Sequence, residues 1–310
     1  MLLFKTVRSI KKYLNTVKKS GKKVGFIPTM GALHEGHLSL LKAAKRRGLV
    51  TVCSIFVNPT QFNDPEDFKK YPVTTDSDLA KLHHSGCEAV FLPSVKEIYP
   101  HGTAIKKPQK FGFLSETLEG EFRPGHFEGM AQVVERLLRI TEPDYLFMGL
   151  KDYQQQLIVG QLIKRLGMRV KLVSLPTVRE IDGLAMSSRN TRLSESARKK
   201  AKWLYKELSN LADKIRSLKE KRSTKIVLKR LSTKNTDNNK NSLKDDNWLN
   251  VIGQLTSQSA KRLAAKGFIV EYLEVRNAKT LSHPKHINEK LVVLVAARLD
   301  GVRLIDNVVV

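Results

Sequence analysis

Two histidines three residues apart, His34 and His37, close the run Pro28-Thr29-Met30-Gly31-Ala32-Leu33-His34-Glu35-Gly36-His37. At that spacing, the first turn of a helix brings both imidazoles to one side. Gly31 and Gly36 let the backbone come close to a ligand with no Cβ in the way. A strand, a glycine loop and a helix start together aim free amides and a helix dipole at one point, which suits phosphate. Two ring donors beside such a site suit a phosphate whose charge rises during attack. Further groups of this kind follow. Gln61 stands in the polar turn Asn58-Pro59-Thr60-Gln61-Phe62-Asn63. After Gly149 and Leu150 come Lys151, a point charge for phosphate, and Asp152, an acceptor for hydroxyls, with Gln155 one helical turn beyond Lys151. Met186, Ser187, Ser188 and Arg189 bring two hydroxyls and a guanidinium to a turn, a set suited to polyphosphate.

These groups need strands and helices to hold them. Residues 24–27 are apolar and stop at Pro28, which has no amide hydrogen to continue a ladder. Leu38, Leu41 and Ala44 recur at helical spacing, so a helix starts near His37. Earlier, the pattern predicts a helix over 3–17. A strand follows over 49–57, mostly β-branched and apolar, and it runs into the turn that carries Gln61. In open α/β sheets ligands bind at that carboxyl end. A helix over 76–85 and a short strand over 89–92 come next. Residues 101–128 have weak periodicity and are long for a connector, which predicts a lid. A helix over 130–140, a strand over 145–148, a helix to 166 and a strand over 168–175 complete the alternation. The fold class is therefore α/β, with a doubly wound parallel sheet in residues 1–176. Residues 177–310 are expected to form a smaller α+β domain. It has a basic helix over 195–218, a polar, low-complexity and flexible insertion over 222–247, and a helix over 248–266. Stretches 268–275, 291–297 and 302–305 alternate as a small antiparallel sheet does.

A chain of 310 residues with 41% hydrophobic and 27% charged residues has the composition of a soluble globular protein with room for two domains. No apolar run approaches the roughly 18 residues that would span a bilayer. Lys5 and Arg8 interrupt the apolar start too early for a signal-peptide core. Cys53 lies in an apolar strand, where a small buried hydrophobe is expected, and nothing points to an oxidising compartment, so the cytoplasm is the expected location. The formal charge of +25 comes from 55 Lys and Arg against 30 Asp and Glu, spread along the chain. No nucleic-acid-binding signature accompanies it. It reads as a solvated basic surface, with no specific nucleic acid and no membrane as partner.

Four runs in this order carry a resemblance over nearly the whole chain: residues 28–37, the run 56–62 with Asn58-Pro59-Thr60-Gln61, Lys151-Asp152-Tyr153-Gln154-Gln155, and Asp182-Gly183-Leu184-Ala185-Met186-Ser187-Ser188-Arg189-Asn190. The sequence resembles the pantoate–β-alanine ligase family, within the His-x-Gly-His nucleotidyltransferases. The resemblance implies a Rossmann-like N-terminal domain and a homodimer. It implies ATP-dependent condensation of pantoate with β-alanine through pantoyl-adenylate, with AMP and pyrophosphate released. It further implies that Met30, Gly31, Ala32, Leu33, His34, Glu35, Gly36 and His37 bind ATP, with His37 as proton donor and His34 at the phosphates. Gly149, Leu150, Lys151, Asp152, Val178, Met186, Ser187, Ser188 and Arg189 join the ATP site, with Lys151 on phosphate. Gln61 and Gln155 are implied to hold pantoate, Gln61 also meeting β-alanine. Mg²⁺ is implied with ATP, and Asp78 or Asp76 is the nearby carboxylate candidate to ligate it. Leu150, Val73, Ser77 and Met148-Gly149 depart from the family pattern. The competing expectation is another His-x-Gly-His adenylyltransferase with a different acceptor. One that acts on phosphorylated acceptors would carry Arg or Lys where Gln61 and Gln155 stand.

Overall fold

A strand covered on both faces is mostly apolar, and Val50–Ile55, apolar except for Thr51 and Ser54, has every residue buried. The computed structural model describes residues 1–105, 108–232 and 247–310. The chain divides into two compact units, residues 1–181 with 185–192 and residues 182–184 with 193–310.

The strands of the first unit are Leu2–Phe4 (β1), Val24–Thr29 (β2), Val50–Ile55 (β3), Ala89–Phe91 (β4), Tyr145–Gly149 (β5) and Lys171–Leu175 (β6). Its helices are Val7–Lys19 (α1), Glu35–Lys45 (α2), Pro65–Lys69 (α3), Thr75–His84 (α4), Val95–Ile98 (α5), Phe113–Glu116 (α6), Glu119–Phe122 (α7), His126–Thr141 (α8) and Tyr153–Arg165 (α9). The six strands lie parallel in the order β1-β4-β3-β2-β5-β6. The chain leaves β2 for β3 and β4 on one side and returns to place β5 and β6 on the other. That reversal makes the gap between β2 and β5 the switch point of the sheet.

Three local features differ from the sequence expectation. β1 stands where the pattern predicts the start of a helix, and α1 begins only at Val7, with Thr6 as its N-cap accepting from the Ser9 amide. Three residues carry no periodicity, and what makes them a strand is β4, more than eighty positions away. α8 starts at His126, ahead of the predicted residue 130, because Gly125 adopts φ 79° and turns the chain into the helix. The stretch expected as a lid holds two short helical turns, α6 and α7. Gln154 ties it down: Nε2 donates to the carbonyls of Leu114 (2.6 Å) and Thr117 (2.8 Å), and Oε1 accepts from the Glu119 amide (3.1 Å).

The second unit carries Glu195–Ser232 (α10), Asn247–Ala264 (α11) and an antiparallel sheet of Ile269–Asn277 (β7), Leu291–Leu299 (β8) and Val302–Val309 (β9), in the order β7-β8-β9. Leu204, Leu208, Leu211 and Ile215 recur at helical spacing and form one core cluster with Leu291, Val293 and Val295, alternate residues of β8. α10 runs past the predicted end at 218 to Ser232. Residues 222–232, expected within a flexible insertion, are thus helical. They contain no glycine or proline to stop the helix. The rest of that insertion, 233–246, lies outside the described residues. Among the described residues no helix is long and apolar enough to cross a membrane.

Candidate active site

A cavity of about 230 Å³ opens at the carboxyl ends of the first unit's strands, where a switch point is expected to receive a ligand. β2 delivers Thr29 and Met30 to its wall, the start of α2 delivers His34, Gly36 and His37, and the turn after β3 delivers Asn58 and Gln61. Gly149 ends β5, with Lys151, Asp152 and Gln155 after it, and Thr177 and Val178 follow β6. Met186 to Arg189 complete the rim, and α8 lays Met130, Val133, Val134 and Leu137 along one side as an apolar wall.

The two histidines cap their own helix. His34 is the N-cap of α2 in extended backbone (φ −134°, ψ 175°). Its Nδ1 accepts from the Gly36 amide at 3.1 Å, while the His34 amide donates to Nδ1 of His37 at 3.3 Å. This is a capping box in which imidazoles replace the usual hydroxyl and carboxylate. A ring nitrogen that accepts from a backbone amide carries no proton, so both neutral rings hold theirs on Nε2. The ring centroids are 4.1 Å apart. Burial lowers the pKa of His34 to about 4, with Lys151 and Lys81 adding to the effect and Asp152 opposing it. Burial also sets His37 well below its usual range, reinforced by His34, Lys151 and Lys81. Near neutral pH the pair therefore offers two N–H donors and no charge. Gly36 is required here, because a Cβ on it would stand 2.8 Å from the His34 ring.

The glutamine end is equally determined. Asn58 donates from Nδ2 to Gln61 Oε1 (3.2 Å) and to the carbonyl of Gly129 (3.2 Å). Its Oδ1 accepts from the Tyr99 hydroxyl at 2.8 Å, which fixes which way the Asn58 amide faces. With Oε1 held, Gln61 turns its NH₂ toward Met30 at the cavity wall. His126 supports the same turn: its Nδ1 donates to the Gln61 carbonyl at 2.7 Å, and Arg123 donates to its Nε2 at 3.1 Å. Burial lowers His126 to about 3, helped by Arg123.

Three neutral histidines, His126 buried and His34 and His37 half-buried, have a measurable consequence. Their folded-state pKa values lie below the roughly 6.5 of an unfolded chain, so between that value and about 4 the unfolded state takes up protons that the native state refuses. The stability they contribute is complete above about pH 6.5 and is lost as pH falls toward 4. Its slope reaches about 1.4 kcal/mol per pH unit for each histidine. Urea unfolding at pH 7 and pH 5 is expected to show a clearly lower midpoint at pH 5. Equal midpoints would mean that the rings protonate freely in the folded protein.

On the opposite rim, the Met186 amide donates to the Val178 carbonyl at 3.0 Å and brings the Ser187-Ser188-Arg189 turn to the cavity. Ser188 Oγ donates to the Ala32 carbonyl at 3.0 Å. Arg189 lies 5.5 Å over the Tyr71 ring and pairs with Asp67 through Nη2 at 2.7 Å, while Arg192 reaches the same carboxylate at 2.6 Å. Burial raises the Asp67 carboxyl, but the two arginines outweigh it and hold the group down at about 2. Lys151 Nζ lies 3.4 Å from Asp152 Oδ1.

The family profile described as pantoate-beta-alanine ligase matches residues 2–309. The chain belongs to the pantoate–β-alanine ligase family. It is 38% identical to the pantothenate synthetase of Cytophaga hutchinsonii, over 100% of this chain and 99% of that protein. It is 40% identical to that of Pseudomonas fluorescens, over 98% and 96%. The crystal structure of pantothenate synthetase from Thermus thermophilus superposes with a TM-score of 0.79 at 35% identity, covering 99% of each chain. The pantoate–β-alanine ligase of Francisella tularensis, crystallised with beta-gamma ATP and β-alanine, gives a TM-score of 0.72 at 33% identity over 99% and 97%. The fold is the family's, a parallel six-stranded sheet with a small antiparallel sheet in the C-terminal part. The chain is an ATP-using ligase that forms pantothenate.

For this ligase the residues singled out in the sequence fall into two groups. Met30, His34, Gly36, His37, Gln61, Gly149, Lys151, Asp152, Gln155, Val178, Met186, Ser187, Ser188 and Arg189 meet around one cavity. Gly31, Ala32, Leu33, Glu35 and Leu150 do not line it. Leu33 is core, and Glu35 points out to Lys42 at 3.1 Å. The metal ligand needs correcting. Asp78 is fully buried, and its oxygens are committed to protein donors, accepting from the Ala32 and Leu33 amides (2.8 and 2.7 Å) and from Thr74 Oγ1 (3.1 Å). Asp76 is exposed, and no group of three or more His, Cys, Asp or Glu among the described residues could hold a metal. Sequence reasoning assigned no role to Asn58, Arg123, His126 or the α8 wall. Asn58 stands three residues before Gln61 in a motif already singled out, so its position was in view, but its hydrogen bond to Gly129 was not.

Proposed function

We propose that the ligase makes pantothenate in two steps at this one cavity. A pantoate carboxylate oxygen attacks the α-phosphorus of ATP, the bond to pyrophosphate breaks, and pantoyl-adenylate forms. The β-alanine amine, having lost a proton, then attacks the acyl carbon and AMP leaves. The observation that carries this reading is the convergence of two neutral histidines, each with its proton on Nε2, and an oriented glutamine amide on one cavity. Neutral donors strengthen their bonds as phosphate charge grows, without first binding the ground state as a cation would. We assign His37, with His34, to that task, and Lys151 and the Ser187-Ser188-Arg189 turn to the leaving phosphates. Asp152 is assigned to the ribose hydroxyls and Val178 to the adenine.

Gln61 and Gln155 are assigned to pantoate, whose two hydroxyls neutral amides can bind while the attacking carboxylate keeps its charge. The apolar α8 wall suits its two methyl groups. Gln61 also borders the place assigned to β-alanine. Mg²⁺ would accompany ATP in this reading and would supply positive charge at the phosphates, while Asp78 and Asp67 are both committed to protein donors. The family resemblance also supports a homodimer at work in the cytoplasm.

The test is isotope exchange. Enzyme with ATP, Mg²⁺ and pantoate, in the absence of β-alanine, is expected to move labelled pyrophosphate into ATP. Exchange that needs β-alanine would exclude a free-standing adenylate step.

A further inference from the structure

Loop 30–34 has an unusual hydrogen-bonding arrangement. Gly31 (φ 82°) and Ala32 (φ 49°) are consecutive left-handed residues, and the second is not a glycine. An alanine held there costs on the order of 1–2 kcal/mol unless its surroundings enforce it. All four peptide groups of Ala32 and Leu33 are met by side chains. Asp78 takes both amides, Ser188 Oγ donates to the Ala32 carbonyl, and Lys81 Nζ donates to the Leu33 carbonyl at 2.7 Å. Asp78 and Lys81 sit three residues apart on α4, one turn along the same face. Two adjacent amides pointing at one carboxylate form an anion nest, here filled by the protein itself. The next residue is His34, the N-cap whose amide in turn holds the His37 ring.

We propose that Asp78 and Lys81 are positioning residues for the adenylation step, gripping the loop by its peptide groups so that both imidazoles stand where the phosphates must pass. The proposal rests on the roles assigned above to His34 and His37. It gives the buried carboxylate a task other than metal binding. A donor displaced by about 1 Å costs about a hundredfold in rate, so a loop strained in φ and held from outside needs such a grip. Pantoate meets Gln61 and Gln155, which belong to other elements, so its binding is expected to be insensitive to the grip.

The experiment compares wild type with Asp78→Asn, Lys81→Met and Lys81→Arg. It measures pyrophosphate exchange, pantoate KM, Mg²⁺ dependence and thermal unfolding, with wild type as the reference in the same assay so that an effect confined to the variants reports on positioning. Asp78→Asn sets an NH₂ against a backbone amide and is expected to lower the exchange kcat by about a hundredfold, with pantoate KM within about threefold. Lys81→Met is expected to lower the same parameter by about fivefold to tenfold, and Lys81→Arg, which can still donate to the Leu33 carbonyl, to restore it. Lys81 lies at the surface, so its variants decide the question even if Asp78→Asn does not fold. A Lys81→Met enzyme with wild-type exchange would overturn the proposal. So would an Asp78→Asn enzyme whose rate returns at high Mg²⁺, because that is the behaviour of a lost metal ligand.

Discussion

Replacing His37 with alanine is expected to slow the adenylating half-reaction by about a hundredfold or more, the usual cost of losing a donor aimed at developing charge. The residue is half-buried, its ring neutral and held through Nδ1, which leaves Nε2–H as the donor that the proposed mechanism assigns to the phosphate. The signature should be a fall in kcat and kcat/KM together, with pantoate KM little changed. Gln61→Ala should behave in the opposite way. In the proposed role its amide meets pantoate in the ground and transition states alike, so pantoate KM should rise while kcat stays within a few-fold. Single-turnover formation of adenylate, followed by quenched-flow measurement of AMP-linked product, separates the two. A His37→Ala enzyme with normal single-turnover adenylation would remove the imidazole from the mechanism. A Gln61→Ala enzyme with unchanged pantoate dependence would move the acid's pocket elsewhere.

The second large effect is expected at a residue that touches no substrate. Gly129 on α8 packs backbone against backbone on the 3-10 turn Pro59–Gln61. A Cβ at that position would stand 1.9 Å from the Thr60 carbonyl oxygen and 2.9 Å from the Gln61 amide nitrogen. Both are rigid backbone, so the turn must move by on the order of 1 Å, and overpacking of this kind costs about 1–3 kcal/mol. The Gly129 carbonyl also accepts from Asn58, which holds Gln61 Oε1, so helix displacement and loss of amide orientation come together. Gly129→Ala is expected to lower kcat/KM for pantoate by about a hundredfold and to reduce the unfolding temperature. Gly160→Ala is the control: its Cβ would meet only Leu172 at 3.7 Å, inside helix α9 where alanine is favoured, and activity should hold. Wild-type pantoate KM in Gly129→Ala would show that the turn does not orient Gln61.

Much of this protein can be read locally. The strand before the glycine loop, that loop, the helix beside His37 and the polar turn behind β3 all announce themselves by periodicity and by glycine and proline, although β2 runs past Pro28 to Thr29 and α2 starts at Glu35. Alternating strands and helices imply the parallel sheet, and alternating apolar residues in 291–297 imply the antiparallel one. Boundaries set by a distant partner were not legible. β1 exists because β4 accepts it; the early start of α8 has a local cause instead, the turn at Gly125.

The sequence by itself determined which chemical groups this protein brings to its cavity: two imidazoles one helical turn apart, two glutamines, a lysine and a Ser-Ser-Arg turn. Their types and spacings are local properties, fixed by which residue follows which. Only the tertiary structure decided how those groups are used. Which imidazole nitrogen carries the proton depends on the amides of a cap, and which way Gln61 points depends on Asn58, Tyr99 and Gly129 from three separate segments. Asp78 shows the limit most clearly. As one carboxylate near a nucleotide motif it reads as a metal ligand. Inside the fold, two amides from residues 46 and 45 positions earlier donate one to each of its oxygens and make it a support for the loop. A side chain's chemistry is set by its atoms, but its role is set by what the folded chain places within hydrogen-bond reach of them.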